Sequence, residues 1–494
     1  MGPKLFEQNS QISLRDYYNL GHPPLMASAK STVYIAPASD YTPTRPAFNF
    51  GWVAVNWSRR MTATVGRCDH RGRRSVSVIK GFPTSGSHHH KVRAARQQDR
   101  LRCYIVAAYA CFRMTLIYLI AGEASGDVLG SRLMQVIAAR RPEIRFAGIG
   151  GARMTAHGLD SLFPMQDLAL MGLLEVLPQL RQLRQRLRQT VADITERRPD
   201  VVVTIDSPGF TLRVLRAIGT LGLKRIHYVA PQIWAWRESR VRHYPGLWDQ
   251  LLCLLPFEPA FFARHGLPAT FVGHPVLESG ADRGNAARFR ATHGIDAVAR
   301  VLTVMPGSRR TEVSRLLPFF GAALQRLGHV VPVVPVAGPV TEAVRRGTHS
   351  WRPQPILVTD QQDKYDAFAA SAAALTKSGT ATLELAMAGV PMAVAYRLNP
   401  ITAVIVRRLV SVRYASVINL LADREVVPEL MQQDCTPDRL AETMRTLLDD
   451  PATAAAQVAA SRAALALLRP PEGLPSDAAA AAILAMLGSV GVGQ

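Results

Sequence analysis

Between residues 116 and 396 short runs rich in Val, Ile and Leu recur, each closed by a turn and most followed by an amphipathic stretch. This alternation restricts the fold more than any other property of the chain. The first set reads LIYLIA, IRFAGIG, DVVVTID, RIHYVAP, QLLCLLP and ATFVGHP; the second reads RVLTVMP, HVVPVVPVAG, PILVTD, AAALTKSG and PMAVAY. Strands that are apolar along their whole length must be covered on both faces, which parallel sheets flanked by helices achieve. A polar connection over about 279–300 separates the two sets. The expectation is an α/β protein of two Rossmann-like domains facing across a cleft, the first over 114–280 and the second over 281–436. Ala-rich helices follow over 437–494, broken at Pro470 and Pro471 and free to return to the first domain.

Residues 1–113 differ in composition from the rest. They carry 17 Lys and Arg against 5 Asp and Glu, so +12 of the chain's net +21 lies there. No sustained period of 2 or 3.6 runs through them, which predicts disorder. Three origins fit: a segment translated from an early start codon, an Arg-rich targeting extension, and an anion-binding tail. His88, His89 and His90 stand without a second ligand cluster and fit a solvated tract. The apolar run from Cys103 to Ala121 approaches the length of a membrane span. Arg113 interrupts it, and its second half reads equally as a buried strand, so no transmembrane helix is expected. Cys253 and Cys435, the cysteines beyond the extension, form no disulfide framework, as suits a reducing cytoplasm.

The chemistry-bearing residues fall at strand ends. LIYLIA runs into Gly122 and then Glu123, Ser125 and Asp127, in place of a glycine fingerprint. DVVVTIDSPGF delivers Asp206 to a strand end before Pro208 and Gly209 turn the chain; a partly desolvated carboxylate there suits a general base, and a turn-forming aspartate fits as well. In the second set, ALTKSGTATLE places Ser378, Gly379 and Thr380 where a strand passes into a helix, so backbone N–H groups and the helix dipole meet an approaching anion. An ordinary N-cap by Ser378 or Thr380 explains the same residues. Glu384 lies one turn further on, within range of a ribose diol. MPGSRRTEV offers Arg309, whose guanidinium can grip phosphate oxygens in pairs. Two such loops suit a nucleotide diphosphate, although no Walker A sequence is present. HYVAPQIWAWRESRVR sets Trp234 and Trp236 beside Arg237, Arg240 and Arg242, which suits a phosphorylated sugar or an ordinary packed tryptophan.

AGEASGD at 121–127, LALMGLLEVLP at 168–178, ID-x-P at 205–208, HYVAPQIWAWR at 227–237, LPFEPAFF at 255–262, VGHP at 272–275, PGSR at 306–309, SGTATLE at 378–384 and INLLADREVVPEL at 418–430 together resemble the lipid A disaccharide synthase family. The resemblance runs in order over essentially all of 114–494, and residues 1–113 have no counterpart in it. It implies a GT-B glycosyltransferase that condenses UDP-2,3-diacylglucosamine with 2,3-diacylglucosamine 1-phosphate, with inversion, to the β-1,6 disaccharide 1-phosphate and UDP. By position, Asp206 corresponds to the candidate base, Arg309 to the diphosphate contact, Glu384 to the ribose contact and Asn419 to a further nucleotide-side residue. Ser378, Gly379 and Thr380 complete the donor side; Glu123, Ser125, Asp127 and Trp236 fall on the acceptor side. The family often carries a second carboxylate where this chain has Gly209, which leaves Asp206 as the stronger candidate.

The resemblance also implies that no metal or other cofactor is required, the UDP-sugar being a substrate, and that no nucleic acid is bound. The oligomeric state stays open, a homodimer included. Acylated substrates imply a peripheral enzyme on the anionic cytoplasmic face of the inner membrane. Leu170, Met171, Leu173, Leu174 and Leu177, ahead of Arg181, Arg184, Arg186 and Arg188, have the composition of an interfacial segment, although an amphipathic helix packing the same leucines into the core fits composition alone. A UDP-sugar 2-epimerase shares the expected architecture, and a non-catalytic, membrane-associated nucleotide-sugar binder is the other alternative.

Overall fold

The computed structural model describes residues 32–36, 52–57, 61–65 and 114–488, apart from 169–175, 237, 400–409 and 411, with 32–36, 52–57, 61–65 and 176–180 described by backbone only. The chain divides into two units, Met1–Arg113 and Met114–Gln494. In the first, β1 (Thr32–Ala36), β2 (Trp52–Trp57) and β3 (Met61–Val65) form an antiparallel meander. These are β-branched and aromatic runs of five or six residues, too brief to register as a sustained period. The disorder expected elsewhere in 1–113 concerns residues outside those described.

The second unit holds two six-stranded parallel sheets. The first contains β4 (Leu116–Ala121), β5 (Arg145–Ile149), β6 (Val201–Ile205), β7 (Lys224–Tyr228), β8 (Gln250–Cys253) and β9 (Ala269–Phe271), in the order β5-β4-β6-β7-β8-β9. The second contains β10 (Arg300–Met305), β11 (Val330–Pro335), β12 (Ile356–Val358), β13 (Ser371–Lys377), β14 (Met392–Tyr396) and β15 (Glu429–Met431), in the order β12-β11-β10-β13-β14-β15. Every run read as a strand from its apolar residues is one; β15 escaped because three residues, ELM, leave no pattern.

Burial explains the continuous apolar character. All five residues of β6 are buried, and Ile117, Leu119 and Ala121 of β4 face one core cluster while Tyr118 and Ile120 face another. Strand order reverses beside β4 in the first sheet and beside β10 in the second, so each sheet opens a crevice at the carboxyl ends of the strands flanking that reversal. Register then determines which loops share each crevice. Ala121 lies opposite Ile205, and Met305 lies opposite Thr376.

The two sheets are joined by a common apolar floor. Leu255 and Val276 from the first half pack with Leu383, Leu385, Leu465 and Leu468 from the second, and Trp234 and Phe257 close against them. The terminal helix Pro475–Gly488 returns to the first domain, where Ala479, Ala480 and Ile483 join the cluster formed by Leu133 and Ile137. Polar ties hold it there: Ser476 N–H donates to Glu278 at 3.0 Å and Arg140 pairs with Asp477.

Candidate active site

The loops after β4 and β6 meet because Gly122 has no side chain. A Cβ there would stand 2.5 Å from Ser207 Oγ, so a larger residue would push the loops apart. Asp206 and Ser207 both take left-handed backbone angles, φ 52° and 49°, at the end of β6. Non-glycine residues in that region cost on the order of 1 kcal/mol or more each, and such strain gathers at functional sites. Three contacts retain it: Asp206 N–H donates to Tyr228 O at 2.8 Å, while Thr211 Oγ1 donates to the carbonyls of Asp206 at 2.8 Å and Ser207 at 3.0 Å.

The half-buried carboxylate of Asp206 is unevenly satisfied. Oδ1 accepts from Ser207 N–H at 2.7 Å, whereas Oδ2 has the long contact from Ser125 Oγ at 3.4 Å. Oδ2 therefore retains acceptor capacity for a substrate hydroxyl. Glu123 caps the helix Ala124–Arg140 in extended conformation without a side-chain bond to it. Its carboxyl is raised above the ordinary glutamate range, first by loss of solvent and next by the charge of Asp206, while Arg309 from the opposite domain draws it back. The charge of Arg309, from the loop after β10, thus acts on the carboxyl at the end of β4.

Asp127 departs from its expected acceptor-side place. It is buried, and its carboxylate accepts from the backbone N–H groups of Gly151 at 2.8 Å, Met154 at 3.0 Å and Arg153 at 3.1 Å. These are the entry and first turn of the helix Ala152–Ala156. Its oxygens serve the β5 loop and leave no surface for a sugar. The two tryptophans also separate. Trp234 Nε1 donates to Glu258 at 3.0 Å and the ring meets Phe257 edge-on at 4.9 Å, while Trp236, at the end of the helix Ile233–Trp236, is exposed. Arg237 lies outside the described residues.

In the second sheet, Arg309 precedes the helix Arg310–Leu327 and its side chain is 70% exposed. Glu312 takes its guanidinium at 3.3 Å and its backbone N–H at 3.3 Å. Across the crevice Lys377 reaches the same Glu312 at 3.1 Å. Burial would raise Glu312, but Lys377 and then Arg309 hold it below the usual range. Ser378 Oγ donates to Ala415 O at 2.7 Å, so it does not cap the following helix Thr380–Met387, whose N-cap, Gly379, provides no side-chain bond. Thr380 is exposed at the first helical position. Neither hydroxyl supplies the ordinary cap, and the first N–H groups remain directed outward from the helix end. Gly379 has φ 155° and ψ −167°, a combination that side-chain-bearing residues rarely adopt.

Glu384, one turn along, is held on both oxygens by Lys364 at 3.0 Å and on one by Tyr365 OH at 3.1 Å. Burial and then the adjacent Glu384 push the Tyr365 hydroxyl up to about 12. Asn419 is placed differently from the nucleotide-side role expected of it. It is fully buried; Nδ2 donates to Val427 O and Glu429 at 2.8 Å each, and Oδ1 accepts from Val426 N–H at 2.8 Å and Val427 N–H at 2.9 Å. That exhausts the amide's four bonds, so Asn419 shapes the 423–429 loop and offers nothing to a ligand.

Leu170, Met171, Leu173 and Leu174 lie outside the described residues, and of Leu177 only the backbone, in the helix Val176–Arg197, is described. Further along that helix Leu183, Leu187, Val191 and Ile194 pack into the first core. Arg186 departs from the exposed basic group expected: it pairs with Asp167 at 2.9 Å and lies over the Phe163 ring. Arg181, Arg184 and Arg188 are exposed. Among the described residues no helix is long and apolar enough to cross a membrane.

Sequence reasoning passed over Lys377, Glu312, Lys364 and Tyr365. Lys377 and Glu312 stood within the quoted loops ALTKSGT and MPGSRRTEV, but neither pattern tells that the two meet. Lys364 and Tyr365 come from a separate helix, Gln361–Ala370, without a local signal.

Comparison with known proteins agrees with this architecture. Residues 117–483 match the family model described as lipid-A-disaccharide synthetase. A lipid-A-disaccharide synthase of Gluconobacter oxydans is 59% identical over 376 residues, covering 75% of this chain and 91% of the relative. Among solved structures, a UDP co-structure of S. aureus MnaA superposes with a TM-score of 0.53 at 14% identity, covering 77% of this chain and 99% of that one. The calicheamicin glycosyltransferase CalG4 superposes at 0.50 with 18% identity, covering 77% and 100%. These structural likenesses show the fold, that of GT-B glycosyltransferases.

Proposed function

The chain belongs to the lipid-A-disaccharide synthase family, and on that premise we propose that it transfers the sugar of UDP-2,3-diacylglucosamine to 2,3-diacylglucosamine 1-phosphate. Membership makes it a glycosyltransferase of lipid A disaccharide synthesis. The finer scheme is a single displacement with inversion. Asp206 accepts the proton of the acceptor's 6-hydroxyl, the oxygen forms its bond to the donor's anomeric carbon, and the bond to UDP breaks with its electron pair leaving on the diphosphate. The under-used Oδ2 of Asp206 at the end of β6 carries this reading, and the Glu123 carboxyl beside it, which feels the charges of both Asp206 and Arg309, supports it.

The unequal partners of Asp206 support the base role, since Oδ2 has only the 3.4 Å contact with Ser125 to displace. Arg309 and the N–H groups opening the helix Thr380–Met387 meet the diphosphate, with no metal or other cofactor assigned a part. Glu384, anchored by Lys364, receives the ribose hydroxyls. Trp236 and the 123–125 loop face the acceptor. Both substrates carry acyl chains, so the enzyme works at an anionic membrane surface, with the 170–177 leucines as the inserting segment.

The test is to incubate the protein with both lipid precursors and follow UDP and tetraacyl disaccharide 1-phosphate together. Their equimolar appearance supports the proposal. Conversion of the UDP-sugar to an epimer without acceptor would replace it with an epimerase.

A further inference from the structure

We propose that Lys377 is a second diphosphate-binding cation of the donor site, set in place with Arg309 by a shared counter-charge on Glu312. This deepens the UDP-sugar reading and rests on it. Three segments converge at the second crevice: the loop after β10 with Arg309, the helix Arg310–Leu327 with Glu312, and the end of β13 with Lys377. Lys377 Nζ lies 3.1 Å from Glu312 Oε1, and Arg309 Nη1 lies 3.3 Å from the same oxygen. One carboxylate oxygen therefore draws two cations from opposite sides of the crevice to within a few ångströms of each other. Like charges brought together in this way form a paired anion site, since one Glu312 charge leaves the trio with a net positive charge.

Donor capacity points the same way. An ammonium has three N–H groups and a guanidinium five; the bonds to Glu312 leave most of both sets available. Lys377 Nζ also lies 3.8 Å from the position a Cβ of Gly379 would occupy, which puts it at the mouth of the helix Thr380–Met387. An anion reaching those N–H groups meets the ammonium. The ammonium lies over the ring of Tyr396, 5.4 Å from its centroid. Two phosphoryl groups suit two cations and a helix end better than one does, so the ligand class is a nucleoside diphosphate in preference to a monophosphate.

The experiment measures the affinities of UDP and uridine for the whole protein at low ionic strength in the parent, Lys377→Met, Lys377→Arg and the double variant Lys377→Met/Glu312→Gln. Lys377→Met is expected to weaken UDP by roughly 10- to 100-fold and leave uridine within about twofold. Lys377→Arg is expected to restore most of the UDP affinity, and the salt dependence of UDP binding should be shallower in Lys377→Met than in the parent. The double variant removes both members of the ion pair and keeps the measurement open should Lys377→Met fold poorly; it too should lose UDP affinity selectively. Unchanged UDP affinity in a folded Lys377→Met, or equal loss of UDP and uridine in the double variant, overturns the proposal. A parent that binds no UDP at all instead overturns the donor-site reading beneath it.

Discussion

Ser125 Oγ donates to Asp206 Oδ2 at 3.4 Å, joining the loops after β4 and β6 across 81 positions of sequence. Nearby, Glu123 registers the charge of Asp206 and of Arg309 together. If Asp206 is the base, Asp206→Asn lowers turnover by about 10²- to 10⁴-fold while UDP binding persists. The same change removes a neighbouring negative charge, so the Glu123 carboxyl should titrate lower than in the parent; Arg309→Ala should move it higher. Carboxyl NMR titration of the three proteins reads both directions, and near-normal turnover in Asp206→Asn removes it from the chemistry.

Asn419→Ala tests a structural role against a ligand contact. The substitution leaves the N–H groups of Val426 and Val427 without their acceptor and takes one donor from Glu429. Stability should fall by roughly 3 kcal/mol. Urea unfolding measures this, and a loss of nucleotide affinity with unchanged stability would contradict the structural role.

Glu258 gives the fold a pH dependence. Its carboxyl is buried, and burial pushes it up to about 7 despite the donors Trp234 Nε1 and the N–H groups of Leu254 and Leu255. A carboxyl raised in the folded state favours folding while protonated, so its contribution is full below the unfolded value and is lost as pH rises through about 7. Unfolding free energy should decline by on the order of 3 kcal/mol over that interval. Glu258→Gln should flatten this decline; an unaltered slope assigns it to other groups.

The interfacial segment is tested by Leu173→Ser/Leu174→Ser, expected to stay folded while losing binding to anionic liposomes and activity on acylated acceptor. Liposome flotation and circular dichroism separate the outcomes. Unfolding, or undiminished flotation, returns these leucines to a packing role.

Removal of residues 1–113 is expected to leave the melting temperature and activity of 114–494 nearly unchanged, since that unit has both sheets and the returning helix within it. Calorimetry of the truncated and full chains checks this. A large fall in melting temperature would show that the first unit stabilises the second.

Apolar runs such as LIYLIA and DVVVTID announced strands buried on both faces, and the residues closing them announced where chemistry would sit, because a strand in a parallel sheet has no polar positions to hide a functional one among. The strand-end positions of Asp206, Arg309 and the 378–380 turn were legible for that reason. Residue type could not tell a carboxylate that faces the cleft from one that serves the backbone. Asp127 lies in the first turn of the helix after β4 and Asp206 directly follows β6, yet the fold turns the first onto three backbone N–H groups and leaves the second with an under-used oxygen. Asn419 and Lys377 were decided in the same way. The partners of Asn419 lie in a loop that only folding closes over it, and the partner of Lys377 lies on a helix 65 residues away that strand order alone brings alongside.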